Sequence, residues 1–216
     1  MRSVRVGVAG ILAVVATLGL AGCPFEPRDA PTPCDPLTDI NCRAPAPFEP
    51  PLAPENVRNN IEAALERPTV EPNYKDSLNE LFRYLPDLDV LNADPACFVN
   101  WNRTIEVDLI RTVLEAAAGI RPKTVTVSFP LFQDSGELND PRRRYNVRYE
   151  VALTFTDSTM APPVRIDRYG ATAKWDFVRD TLNSSWTLER WEDIAPTSGF
   201  LGSLGLLRLR RGPCSG

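Results

Sequence analysis

The sequence predicts an α+β domain in which helices precede a one-sided antiparallel sheet. Apolar residues recur every three or four positions between Val57 and Ala116, which is the spacing of amphipathic helices. After Gly119 they recur at every second position, which is the spacing of strands with one buried face. Polar, turn-rich linkers separate these strand segments and favour a meander of neighbouring antiparallel strands. This order of elements indicates that the helices cover the apolar face of the sheet.

Three helices are predicted before the sheet. A proline at the start of the first, an asparagine before the second and a glycine after the third are common residues at helix ends. The predicted spans are Pro54 to just before Pro68, Asn73 to Pro86, and about Asn102 to Ala118. Their apolar faces carry Val57, Ile61, Ala64 and Leu65, then Tyr74, Leu78, Leu81, Phe82 and Leu85, then Ile105, Leu109, Val113 and Ala116.

Four strands are predicted after Gly119, each with apolar residues on one face and polar residues on the other. The apolar rows run from Val125 to Phe129, from Tyr145 to Phe155, from Tyr169 to Phe177 and from Trp186 to Ile194. In the fourth row the apolar face changes between Leu188 and Trp191. This change predicts a β-bulge or a strand end near Glu189 and Arg190.

The first residues have the form of a bacterial export signal. Arg2 and Arg5 precede an uncharged stretch from Val6 to Leu20, which is shorter than the roughly 20 residues that a membrane-spanning helix needs. The next residues, Leu20-Ala21-Gly22-Cys23, resemble the lipobox of bacterial lipoproteins, in which the signal peptide (residues 1–22) is removed and Cys23 is acylated. The alternative is an ordinary secretory signal followed by an incidental cysteine.

Acylation of Cys23 implies attachment to the lipid bilayer without a membrane-spanning segment. A single acyl chain such as palmitate holds a protein only marginally, whereas the several chains of a lipoprotein terminus hold it firmly. If the organism is Gram-negative, resemblance to the sorting rule of such lipoproteins implies that Pro24 after the cysteine directs the protein to the outer membrane, facing the periplasm or the surface. We therefore expect a lipid-anchored protein of the cell envelope.

Proline dominates the segment between the anchor and the predicted domain. Ten of the residues from Pro24 to Pro54 are proline, and large apolar residues are few. This composition favours an extended, polyproline II-like chain over a packed core. We interpret residues 23–54 as a semi-rigid tether, with a proline-rich ligand for a partner as the alternative. Residues 55–194 then form the folded domain, and residues 195–216 form a tail that packs on it.

Four cysteines remain once Cys23 is acylated. An exported protein meets an oxidising environment, so an even number of cysteines predicts disulfides, for which three pairings exist. Cys34 and Cys42 enclose seven residues of a segment that has no core, and a local disulfide is the simplest pairing for them. Cys97 and Cys214 would then join the C-terminal tail to the domain.

Composition and charge argue against several classes of function. The 216 residues include no histidine, which removes Ser-His and Cys-His nucleophile pairs and nearly all catalytic zinc sites. No CxxC spacing takes its place, so we predict no metal site and no cofactor. The net charge is −4, and loss of Arg2 and Arg5 with the signal peptide leaves 22 basic and 28 acidic side chains. This acidic balance speaks against a nucleic-acid partner.

The later strands contain three tryptophan-led triplets, which are Trp175-Asp176-Phe177, Trp186-Thr187-Leu188 and Trp191-Glu192-Asp193. Together with the preceding helices, they resemble the nuclear transport factor 2-like cone, the fold of ketosteroid isomerase and the polyketide cyclases. The segments Pro54 to Val57 and Phe82 to Tyr84 also resemble a group of uncharacterised bacterial lipoproteins with this domain. The resemblance implies N-terminal helices packed on a curved, mostly antiparallel four-stranded sheet that often encloses a pocket. A cystatin-like sheet-on-helix domain is the alternative fold.

The same resemblance makes carboxylates the candidate catalytic groups, because enzymes with this fold often move a proton with a carboxylate inside the cone. The candidates are Glu106 and Asp108 on the third helix and Glu150, Asp176 and Asp193 on the strands. We expect Glu150 and Asp176 to be exposed, Glu106 to cap a helix or pair with a basic residue, and Asp193 to lie at a turn. The catalytic residue is therefore left unknown.

The C-terminal tail is rich in leucine and arginine. The leucines can close the open end of the core, or the segment can contact a membrane or a partner as a short amphipathic piece. The residues concerned are Leu204, Leu206, Leu207, Leu209, Arg208, Arg210 and Arg211.

Two classes of function remain. The first is a non-catalytic, membrane-anchored lipoprotein whose cone binds a small apolar ligand or an envelope protein, as the anchor, the tether and the lack of histidine suggest. The second is an isomerase- or cyclase-like enzyme that uses a buried carboxylate, which only the fold resemblance supports. An Asp or Glu facing an enclosed cavity would favour the second class. Charged residues on the outer sheet face predict at most a weak dimer.

Overall fold

A five-stranded mixed sheet organises the part of the chain that the computed structural model describes, which is residues 48–66, 71–115, 122–156 and 164–212. The strand order is β1-β5-β4-β3-β2, in which β1 pairs with β5 in parallel and the other neighbours are antiparallel. The strands are β1 (Leu78–Leu85), β2 (Thr124–Asp134), β3 (Arg142–Thr156), β4 (Val164–Arg179) and β5 (Trp186–Pro196).

Six helices accompany the sheet within these residues. They are α1 (Pro54–Glu66), α2 (Glu71–Ser77), α3 (Leu88–Ala93), α4 (Pro95–Phe98), α5 (Arg103–Glu115) and α6 (Leu204–Arg211). Helix α1 contacts β2 and β5, α5 contacts β1, and α6 contacts β4. The α+β class and the first predicted helix are thereby confirmed. Part of the predicted end of the third helix, Ala116 to Gly119, lies outside the described residues.

The predicted second helix is wrong, and this error accounts for the strand count of five instead of four. Only α2 is helical, and Leu78–Leu85 form strand β1. Phe82 and Tyr84 are buried at every second position, whereas Leu81, which a helix would have buried, is 67% exposed. The strand forms because its backbone can pair with β5, a contact distant in sequence that overrides local helical spacing.

Alternation along the long strands places the core on one face of the sheet. Every second residue of β3 is buried, from Tyr145 to Phe155, as predicted. The inward row of β4 and the tryptophans of β5 join the same core, against which α1, α5 and α6 pack. The opposite face carries polar and charged residues, among them Arg148 and Lys174.

The predicted irregularity in the last strand is confirmed. Phe177 of β4 pairs with Leu188 while the preceding Asp176 pairs with Arg190, so Glu189 is the extra residue of a β-bulge. A second register shift in the same pair of strands falls between Thr172 and Ala173. Together the two shifts decide which side chains of β5 face the core.

The described residues contain one cysteine, Cys97, and it is disulfide-bonded. Cys23, Cys34, Cys42 and Cys214 lie outside the described residues, so the proposed lipidation and the pairing of the cysteines stay predictions. Among the described residues, no helix is both long and apolar enough to cross a membrane.

Candidate functional site

Three of the buried charged side chains lie together between the sheet and its helices. Glu106 of α5, Asp193 of β5 and Arg208 of α6 are 0%, 3% and 2% exposed. Burying an unpaired charge is costly, so each of these groups must be matched by partners. The partners are aromatic side chains, and we call the whole set the interior network: Glu106, Asp193, Arg208, Tyr74, Tyr84, Tyr149, Trp101 and Trp191.

Glu106 is the best-satisfied carboxylate of the interior network. The Arg208 guanidinium binds both of its oxygens, with Nε to Oε2 at 2.9 Å and Nη2 to Oε1 at 2.6 Å. The Tyr74 hydroxyl donates to Oε1 at 2.7 Å, and Trp101 Nε1 donates to Oε2 at 2.8 Å. Burial raises the pKa of Glu106, but the charge and hydrogen bonds of Arg208 and the two further donors outweigh it, so the pKa is lowered. Glu106 is therefore an ionised partner of Arg208.

Asp193 is held by three neutral donors. The hydroxyls of Tyr84 and Tyr149 donate to Oδ2 at 2.6 and 2.9 Å, and Trp191 Nε1 donates to Oδ1 at 2.8 Å. Burial raises the pKa of Asp193, and the charge of Arg208 together with these hydrogen bonds offsets only part of that rise. Burial and the adjacent Asp193 also hold the pKa values of both tyrosines well above normal, so both remain proton donors.

Arg208 is enclosed by aromatic rings as well as by Glu106. Its guanidinium carbon lies 3.8 Å from the centre of the Tyr84 ring and 4.9 Å from that of the Trp191 ring. Cations are attracted to the faces of such rings, most strongly when they are desolvated. One nitrogen, Nη1, is buried and has no hydrogen-bond partner among the described residues.

Local sequence in the tail explains how α6 reaches this position. Ser203 caps the helix by accepting a hydrogen bond from the Gly205 N–H, and its hydroxyl donates to Asp87. Spacing of three and four residues then places Leu204, Leu207 and Arg208 on one buried face. A Cβ at Gly205 would lie 2.6 Å from the Tyr84 hydroxyl, so only glycine lets the helix approach this closely.

Little space remains beside the interior network. The cavity there is about 20 Å³ and is lined mainly by apolar side chains of α5, β2 and β3 together with Tyr74, Trp191 and Arg208. Sites that bind small organic molecules measure about 300–1,000 Å³, and one water needs about 10–15 Å³. Among the residues that the structure describes, the space beside the interior network is thus filled by the domain's own side chains.

Two of the five candidate carboxylates enter the interior network, and three do not. Glu106 pairs with a basic residue, as expected. Asp108 is exposed beside Arg111, and Glu150 lies on the outer sheet face with Arg148 at 3.0 Å. Neither of these outer residues can act inside the domain.

The predictions for Asp193 and Asp176 were wrong. Asp193 does not lie at a turn, because β5 continues to Pro196 and the register shift after Thr172 sets Asp193 opposite inward-facing Ala173. Asp176 does lie on the outer face, but it is only 7% exposed. Arg144 on the adjacent strand covers it with two hydrogen bonds, at 2.6 and 2.8 Å.

Sequence reasoning did not foresee that Arg208 enters the core or that three tyrosines serve as donors. The signal for Arg208 was its spacing of one helical turn from Leu204, which puts both on one helix face. An arginine beside leucines on a helix is usually predicted to be exposed to solvent. Only the position of Glu106 in the folded domain shows that Arg208 is buried. Within the described residues, no group of three or more potential metal-ligating side chains is found.

Comparison with known proteins gives only structural similarities. No protein-family model matches the sequence, and no curated protein matches it. A conserved protein from Planctomyces limnophilus superposes with a TM-score of 0.48 and 12% identity, over 68% of this chain and 96% of that one. A protein of unknown function with a cystatin-like fold from Nostoc punctiforme gives 0.46 and 10%, over 68% and 90%. A nuclear transport factor 2-like superfamily protein from Salmonella enterica gives 0.46 and 5%, over 67% and 89%. All three TM-scores are below 0.5, so the α+β class rests on the sheet order and helix placement described above.

Proposed function

We propose that this protein is a lipid-anchored bacterial envelope protein whose folded domain is a non-catalytic binding or scaffolding module of nuclear transport factor 2-like type. One observation carries the non-catalytic part, which is that the interior is filled. Both carboxylates of the interior network already accept hydrogen bonds from three or more donor atoms, and the adjacent cavity is about 20 Å³. A substrate would have no room beside either carboxylate.

The filled interior also shifts the proposed partner from a small apolar ligand to an envelope protein. A protein partner would meet the outside of the domain, which includes the polar outer face of the sheet. Arg148, Glu150 and Lys174 lie there and offer charges of both signs. Such a surface suits reversible, polar association better than the burial of an apolar ligand.

Native mass spectrometry of the mature protein, purified from its own membranes without denaturation, tests this proposal. The expected mass is that of the acylated chain with its disulfides and no further small molecule. A stoichiometric non-covalent adduct that is released when the domain unfolds would contradict a filled interior. It would favour the isomerase- or cyclase-like alternative, or a ligand-binding role.

Replacing the side chain of Cys23 tests the proposed lipid anchor. Cys23→Ala removes the acylated thiol, so the variant should move from the membrane fraction to the soluble fraction of the envelope. Cys97→Ala removes a cysteine that is disulfide-bonded and leaves the predicted lipidation site intact, so it serves as the control and should stay with the membranes. A Cys23→Ala variant that still fractionates with lipid would refute the lipoprotein proposal.

A further inference from the structure

Arg208 is held in the interior network in the way that proteins hold a bound ligand. Its planar guanidinium meets a carboxylate edge-on through two parallel hydrogen bonds, at 2.9 and 2.6 Å. Aromatic rings of Tyr84 and Trp191 lie over the same cation, at 3.8 and 4.9 Å from its central carbon. A two-pronged carboxylate combined with aromatic faces is a general arrangement for recognising guanidinium groups.

The groups around Arg208 are also fixed independently of it. The Glu106 carboxylate accepts hydrogen bonds from Tyr74 and Trp101 as well as from the guanidinium. The ring of Tyr84 is oriented by its hydrogen bond to Asp193 and by edge-to-face packing with Trp101, with the two ring centres 6.2 Å apart. Removing the Arg208 side chain should therefore leave a preformed pocket instead of a collapsed one. Preformed sites lose little free energy in ordering themselves around a ligand.

This pocket should distinguish a guanidinium from an ammonium. A guanidinium presents a flat fork of N–H groups that matches both oxygens of Glu106, and it can stack on Tyr84. An ammonium of equal charge is a compact donor that is more strongly hydrated and meets only one oxygen at a time. Charge alone is thus insufficient to fill the site.

We propose that the interior network is a guanidinium-binding site, which α6 fills with its own Arg208 and which binds a free alkylguanidinium when that side chain is absent. On this account α6 is a tethered ligand as well as a structural helix. This inference shares one premise with the proposed function, which is that side chains fill the interior of the domain. It does not depend on the lipid anchor.

Chemical rescue of Arg208→Ala in the full mature chain tests the proposal. Methylguanidinium chloride is the probe, added at millimolar concentrations with ionic strength held constant by sodium chloride, and the midpoint of thermal unfolding is measured. We expect the midpoint of the variant to rise and then to saturate. At a ligand concentration ten times its Kd, mass action raises the folded-to-unfolded ratio about elevenfold.

Three controls separate a specific site from a general effect of the salt. Arg211→Ala removes an exposed arginine of the same helix and should show no saturable rise with methylguanidinium. Methylammonium chloride at the same concentration should not rescue Arg208→Ala. The double variant Glu106→Gln/Arg208→Ala has lost the charged acceptor and should not respond to methylguanidinium. Equal responses of the two arginine variants, or equal rescue by methylammonium, would overturn the proposal.

If Arg208→Ala does not fold when prepared alone, refolding from denaturant gives the same test. The yield of soluble, cooperatively unfolding protein should then increase with methylguanidinium and not with methylammonium, and equal yields would overturn the proposal. Failure here leaves the anchored binding role standing, because that role is tested separately by Cys23→Ala fractionation and native mass spectrometry.

Discussion

At the scale of single residues, the domain is organised around charges that most cores exclude. Two carboxylates and one guanidinium are buried together, and hydrogen bonds from tyrosine and tryptophan side chains stabilise both acids. Removing one partner of a buried ion pair costs about 3–5 kcal/mol, since the other charge is left uncompensated. Loss of Glu106 or Arg208 alone is therefore expected to destabilise the fold.

The opposite pKa shifts of the two acids predict how stability depends on pH. The pKa of Glu106 is lowered in the folded protein, so its stabilisation is present at neutral pH and is lost as the pH falls below its ordinary value of 4.5. The pKa of Asp193 is raised, so its contribution is fully present below 3.8 and is lost as the pH rises through its higher folded value. The two groups oppose each other in the acid range.

Comparison of the wild type with Glu106→Gln isolates the pH-dependent contribution of Glu106 to stability, because Asp193 is present in both proteins. At pH 7 the variant should be less stable to urea by about 3–5 kcal/mol, and the difference should shrink as the pH is lowered toward 3. Asp108→Asn, on the exposed face of the same helix, should show a much smaller difference at every pH. A Glu106→Gln difference that does not change with pH would contradict an ionised Glu106.

At the scale of elements, the sequence correctly predicted the helices and strands that have a clear local periodicity of apolar residues. The alternating rows of β2, β3 and β4, the bulge at Glu189 and helix α1 follow from neighbouring residues and agree with the structure. Strand β1 was missed because Leu78, Leu81, Phe82 and Leu85 have helical spacing, and only parallel pairing with β5 makes them a strand. Long-range pairing of this kind leaves no local signal.

Two adjacent alanine substitutions test the assignment of β1. A helix would bury Leu81 and Phe82 on one face, whereas the strand leaves Leu81 67% exposed and Phe82 0% exposed. We expect Phe82→Ala to lower the free energy of unfolding by about 3–5 kcal/mol. Leu81→Ala should change it by about 0.5 kcal/mol or less, as is usual for a surface position. Similar losses for both variants in urea unfolding would favour the helix.

At the scale of the whole molecule, the interior network depends on segments that are far apart in the sequence. Glu106, Asp193 and Arg208 come from the third predicted helix, the last strand and the C-terminal tail, and no motif connects them. The sequence indicated that Glu106 would cap a helix or pair with a basic residue, but the choice and the partner depended on where the tail folds. Asp193 was misplaced because its orientation follows from a register shift in the sheet. The pattern of residues alone does not predict which distant elements pack against each other.

Among the described residues, Arg208 and its partners in the interior network occupy the inside of the domain. A high-resolution crystal structure of the mature domain would examine this packing. We expect electron density for the Arg208 guanidinium between Glu106 and the Tyr84 ring, and no unexplained density inside the sheet. A displaced α6 over an open, ligand-sized cavity, or density that the chain does not explain beside Asp193, would contradict it.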